Sequence, residues 1–121
     1  MRARKSDFLE EIAVSIDYWV DTVAEAMTDL SADLIWVDEQ EPYQRLQKVF
    51  ENSELNNDDL KKVIAECLRG FTVSVLTAID GGTALAEKGR VYLVDDAGNN
   101  LGEGLHDDFV SHLLETGRLR E

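Results

Sequence analysis

His106 and His112 are the only two histidines in the chain, and with Asp80 and Asp108 they are the side chains best suited to hold a ligand or move a proton. Six positions apart on one helix, the two rings point about 240° away from each other and cannot share a metal from that helix. Asp108, His112 and Glu115 do fall on one helical face at i, i+4 and i+7, an array that offers one imidazole and two carboxylates to a divalent ion. A solvated polar face opposite Phe109 and Leu113 accounts for the same spacing and is the favoured reading, so neither a metal nor a cofactor is expected. Asp95–His106 mixes acids, asparagine and glycine over a calcium-loop length. However, Ala97 falls at the third ligand position, Asn100 replaces the turn glycine and His106 replaces the bidentate glutamate.

Gly102-Glu103-Gly104 ahead of a helix start has the glycine content of an anion-binding loop, yet Asp107 and Asp108 already place negative charge at that terminus. The chain has no G-x-x-x-x-G-K-[ST], G-x-S-x-G or H-E-x-x-H. Cys67, the single cysteine, sits beside Ile64, Leu68 and Phe71 at helical spacing and reads as a buried small hydrophobe rather than a nucleophile. Nothing in the pattern supports an enzyme over a binding protein. The alternative ligand or catalytic region is Asp80, His106, Asp108 and His112.

Charge is more informative. The 121 residues carry 25 Asp+Glu against 12 Lys+Arg, a net charge of −13. Arg2, Arg4 and Lys5 lie in the first five residues, so the remainder holds 9 basic and 25 acidic side chains and repels phosphate backbones; no nucleic-acid binding is expected. From Ser6 to Leu30 there are seven acids and no Lys or Arg. Asp17, Asp21, Glu25 and Asp29 descend in i, i+4 steps, each of which is a destabilising like-charge pair. Such a ridge fits a surface kept for a basic protein partner, whose approach its field accelerates. Solubility, or a salt-rich cell, would favour the same acids.

The elements that must position these groups follow from periodicity and cap chemistry. Phe8, Ile12, Ile16, Trp19, Val20, Val23, Met27 and Leu30 fall within an arc of about 120°, predicting a helix near residues 6–30 with Ser6 as its cap. Asp33–Val37 is a short apolar patch, either extended or a turn. A second, shorter helix begins at Glu41-Pro42 and ends before Asn52. Asn57 caps a third that runs to Asp80, with Gly81 ending it and with Leu60, Ile64, Cys67, Leu68, Phe71, Val75, Ala78 and Ile79 facing inward. Residues 71–79 alternate like a strand as well, but the Leu68, Phe71, Val75, Ile79 spacing carries the helix across Gly70. Thr83–Glu87 forms one turn. Arg90–Val94 predicts a strand, Asp95–Asn100 a turn and Leu101 the start of a return strand, together a small β-hairpin. The last helix is Leu105–Thr116, with Leu105, Phe109 and Leu113 inward and Gly117 at its end.

The expected fold is therefore α+β, mainly α. Two long packed helices are joined by a shorter helix, a small hairpin and a C-terminal helix, in one globular domain over residues 1–121 with 1–5 as a flexible basic arm. No 7–15-residue apolar segment follows the basic start, and no apolar run approaches the ~20 residues of a membrane span. With its lone cysteine, the chain reads as cytoplasmic and unattached to membranes.

Ile79-Asp80-Gly81-Gly82, Tyr92–Gly98 and Leu105–Phe109, some forty residues in all, resemble a pattern in small, acidic, mostly uncharacterised bacterial proteins. These are similar in size and acidity to the immunity proteins that neutralise secreted toxins. The resemblance implies a single-domain cytoplasmic binding protein without a reaction of its own, and it transfers no functional residue. The sequence reading is thus a non-enzymatic acidic domain that binds a basic protein through Asp17, Asp21, Glu25 and Asp29. A third reading is a homo-oligomer with Trp19, Trp36, Tyr43 or Tyr92 at its interface.

Overall fold

Among the described residues the chain forms four α-helices: α1 (Lys5–Thr28), α2 (Gln40–Glu51), α3 (Asn57–Ile79) and α4 (Leu105–Glu115), with a 3₁₀ turn at Ala84–Glu87. The computed structural model describes residues 2–120. These gather into two compact units, one comprising the residues up to Ser15 and those from Arg69 onward, the other Ile16–Leu68. α1 and α3 therefore each contribute residues to both units.

Local chemistry sets the helix ends. α1 starts one residue before Ser6, because Asp7 Oδ2 accepts the Arg4 N–H at 3.0 Å, the returning half of a capping box. It stops at Thr28, where Asp29 turns its carboxylate to the N–H and hydroxyl of Ser31 (2.8 and 2.7 Å). α2 begins two residues before Pro42, which sits in the first turn where an N–H would have no intrahelical partner. The cap of α3 is Asn56 rather than Asn57: its Oδ1 accepts the Asp58 N–H at 2.8 Å. At the far end Gly81, with φ +82°, lets its own N–H and that of Gly82 reach back to Ala78 and Thr77. Residues 71–79 are helical throughout.

In the first unit Leu9 and Ala13 of α1, Leu76 of α3, and Leu105, Phe109 and Leu113 of α4 form the core. In the second, Val20, Ala24 and Ala26 of α1 are buried with Leu34 and with Gln47 of α2, whose Nε2 donates to the Ala26 carbonyl at 2.8 Å. Asp33–Val37 is a turn, closed by Asp33 Oδ1 on the Ile35 N–H and by the Val37 N–H on the Leu34 carbonyl. Lys61 of α3 meets Asp21 of α1 at 3.2 Å, so the two long helices are neighbours within this unit.

Three expectations are corrected. The fold is helical, not α+β: among the described residues there is no strand, only a single antiparallel bridge between Val94 and Asn100. The turn itself forms, with Asp95 Oδ1 accepting the Ala97 and Asn99 N–H groups, but Gly102 (φ +109°) diverts the chain directly after Leu101. Two paired residues are too few for a hairpin.

The second correction concerns the phase of α3. Cys67 is exposed, Phe71 is 70% and Val75 43% exposed, while Leu76 is 1% exposed. Leu60, Ile64, Leu68, Ala78 and Ile79 of the expected stripe are half-buried, and the departure is confined to Cys67, Phe71 and Val75, in whose place Leu76 is buried. The third is the same effect in α1, where Trp19 is exposed and Ala13 and Ala24 are fully buried, while Leu30 lies past the helix end and is exposed. Where helices approach closely, alanine fits the contact and larger side chains are displaced to its edges.

Candidate functional site

Gly104 occupies the position before α4 with φ +70° and has no side chain to cap the helix. Asp80, just beyond the end of α3, supplies the missing acceptors. Its Oδ1 takes the Leu105 N–H at 3.0 Å, and its Oδ2 takes the His106 N–H at 2.9 Å and the His106 Nδ1 at 2.5 Å. The carboxylate is 8% exposed. Burial pushes its pKa up, but the His106 N–H, the His106 ring and the Leu105 N–H together hold it below the usual carboxylate range. The hydrogen bond to Asp80 in turn raises the His106 pKa, against burial and with Asp107 adding to the effect. This is a structural cap made by two segments distant in sequence.

Asp108 and His112 belong to a different arrangement. Lys5 Nζ binds Asp108 at 2.7 Å and the Glu103 carbonyl at 2.6 Å, while Glu10 Oε1 accepts from His112 Nε2 at 3.1 Å and from Arg118 Nη1 at 2.7 Å. The His112 and Arg118 hydrogen bonds hold Glu10 below the usual carboxylate range. Asp108, His112 and Glu115 line a shallow cavity of about 230 Å³ with Ser6 and Leu9 of α1. Two of the three are thus tied to α1, and among the described residues no three His, Cys, Asp or Glu side chains are placed to hold a metal ion. The four residues of the alternative ligand region are divided between a helix cap and an interhelical clamp. Arg2, Arg4 and Lys5, expected as a flexible arm, meet Asp95, Asp7 and Asp108 respectively. Asp95 is held below its usual range chiefly by the Asn99 N–H, against burial. Its oxygens serve the turn.

The other unit holds the acidic ridge. Ile16–Leu68 contains 13 acidic and 4 basic residues, a net −9 of the chain's −13. Asp17, Asp21 and Glu25 are exposed on α1. Asp29 lies past the helix end, and the Ser31 hydroxyl and N–H keep its carboxyl below the usual range. The ridge is thus three helical carboxylates plus one committed to a turn, and Asp21 is paired with Lys61.

Beside the ridge, four aromatic rings form a ladder that the sequence reading named only in part. Tyr18–Trp19, Trp19–Trp36 and Trp36–Tyr43 meet edge to face at 5.6, 5.4 and 5.9 Å between centroids. Tyr18 is 62% exposed, and Trp19 and Trp36 are each 42% exposed. Tyr92 belongs to the other unit, with Arg90 over its ring at 5.2 Å. A cavity of about 190 Å³ opens between the ladder and the ridge, lined by Tyr18, Thr22, Glu25, Ala26, Ala32, Asp33 and Trp36. Trp36 is oriented there by its indole N–H, which donates to the Asp33 carbonyl at 3.0 Å. Tyr18, on the polar side of α1, was the signal available in the sequence: a large aromatic off the apolar stripe and between acids.

No family model, curated protein or solved structure matches this chain. Among the described residues no helix is long and apolar enough to cross a membrane.

Proposed function

We propose that the chain is a non-enzymatic acidic binding domain of the immunity type, which docks a basic protein on the α1 ridge and the aromatic ladder beside it. The observation that carries this reading is the juxtaposition of exposed Tyr18, Trp19 and Trp36 with the most acidic part of the chain. Protein interfaces concentrate their binding energy in aromatic anchors, while surrounding charge selects the partner and raises the association rate. A soluble surface has no need to leave two tryptophans half exposed, whereas a docking surface gains from rigid aromatic area that orders few rotors.

Asp17, Asp21 and Glu25 are the contact carboxylates on this reading, and Asp29 contributes its charge from the turn. The test is immobilised protein presented with source-cell lysate and culture medium at low salt, eluted with a salt gradient and read by mass spectrometry. A basic protein captured by the wild type and released as salt rises is the expected outcome. Reversing Asp17, Asp21 and Glu25 to lysine should lower its association rate by about tenfold or more while leaving helicity intact. Unchanged association kinetics in that variant would remove the ridge as the docking surface.

A further inference from the structure

We infer that the cavity between α1 and the turn at residues 31–37 receives a single arginine side chain of the partner; this rests on the basic-partner reading and specifies its central contact. Two acidic residues, Glu25 and Asp33, and two aromatic residues, Tyr18 and Trp36, line the cavity together with the small Ala26 and Ala32. Asp33 Oδ1 is occupied by the Ile35 N–H, and the Trp36 N–H by the Asp33 carbonyl, so both residues are held in place before a ligand arrives. The Glu25 carboxylate makes no hydrogen bond or ion pair among the described residues. It is the group with capacity to spare.

The chemistry selects the occupant. Two carboxylates in a unit of net charge −9 repel an anion, and a neutral apolar group would leave both carboxylates partly desolvated without compensation. A cation complements both acidic residues, and the aromatic walls favour one with a planar face. Guanidinium stacks on aromatic rings, is weakly hydrated and directs several N–H donors in a plane toward carboxylate oxygens. An ammonium group gives up more hydration and cannot reach both carboxylates with a rigid fork. The volume, about 190 Å³, exceeds several times the ~30 Å³ share of one water and accommodates the head and last methylenes of one such side chain.

The probe is a blocked Gly-Ser peptide carrying two arginines, compared with its counterpart carrying two lysines, titrated into the ¹⁵N-labelled full chain at low salt. Amide and indole N–H resonances report the site: that of Trp36 lies at the cavity, while the backbone of Asp17 reports the ridge. The arginine peptide should bind about fivefold or more tightly than the lysine peptide and shift the Trp36 indole and Ala26 amide. Glu25→Gln and, independently, Tyr18→Leu should each remove most of that preference. Asp17→Asn should weaken both peptides alike, because Asp17 does not line the cavity.

Equal binding of the two peptides, or a preference that survives both cavity substitutions, would overturn the arginine site and leave the ridge as a general acidic surface for basic groups. Failure of both peptides to bind would overturn it as well. If the salt-gradient capture also yielded no basic protein, the parent reading would fall with it.

Discussion

Replacing Asp80 with alanine separates a structural role for the Asp80–His106 pair from a ligand-binding one. The substitution removes the side-chain acceptors of the Leu105 and His106 N–H groups, at a helix start where Gly104 offers none. Loss of a helix cap costs ~1–2 kcal/mol. The charge-assisted bond from the His106 ring contributes less than the ~1.5–3 kcal/mol of a sheltered one, since that ring is 33% exposed and water compensates it in part. Together the loss is ~2–3 kcal/mol, not the full sum, because the two contributions share one carboxylate.

With an unfolding entropy of ~2.1 cal/mol/K per residue, a chain of this length loses ~4 °C of Tm per kcal/mol, so the melting temperature should fall by ~8–12 °C. Circular dichroism melts of the wild type, Asp80→Ala and Asp80→Asn give the measurement. Asparagine retains one acceptor and should lie between the other two. Amide exchange should accelerate at Leu105 and His106 in the alanine variant. A variant melting within ~2 °C of the wild type, with both amides still protected, would refute the cap and return Asp80 to the list of groups available to a ligand.

Two further outcomes follow from the same geometry. The raised pKa of His106 stabilises the fold fully below ~6.5 and loses that contribution as pH rises through its folded-state value; the lowered pKa of Asp80 contributes fully above ~3.9 and is lost as pH falls through its folded-state value. The pair's contribution is therefore greatest between about pH 4 and 6.5, and the difference in melting temperature between wild type and His106→Ala should shrink from pH 5.5 to pH 8; a constant difference would contradict it. The phase of α3 is tested by Leu76→Ala, expected to cost ~2–5 kcal/mol in urea denaturation, against Phe71→Ala, expected to cost less than ~1 kcal/mol. Equal costs would restore the stripe through Phe71.

How much of the molecule is legible from its residues depends on the range of the interactions involved. Helical period and cap chemistry act over a few residues. They suffice to predict four helices, a helix rather than a strand over 71–79, an end at Gly81, an end at Gly117 and an inward Leu105, Phe109 and Leu113. The concentration of acid on α1 is likewise a property of the sequence alone. The hairpin failed for the opposite reason: Arg90–Val94 has strand-forming residues, but a strand is made by its partner, and Gly102 leaves Leu101 with no continuation.

Tertiary structure decided what faces what. Period places the apolar residues of α3 in a stripe about 100° wide, but the axis of contact is set by the neighbouring helices. That contact made Leu76 the centre and left Cys67 and Phe71 outside. Asp80 and His106 were both named from sequence, yet 26 positions separate them, and only the fold turned their pairing into a cap for α4. Tyr18 and Trp36 became two walls of one cavity in the same way, because the turn after α1 returns Trp36 to its side. Chain-local rules encode the elements and their charge, whereas sites are made by long-range contacts whose residues carry no mark of their partners.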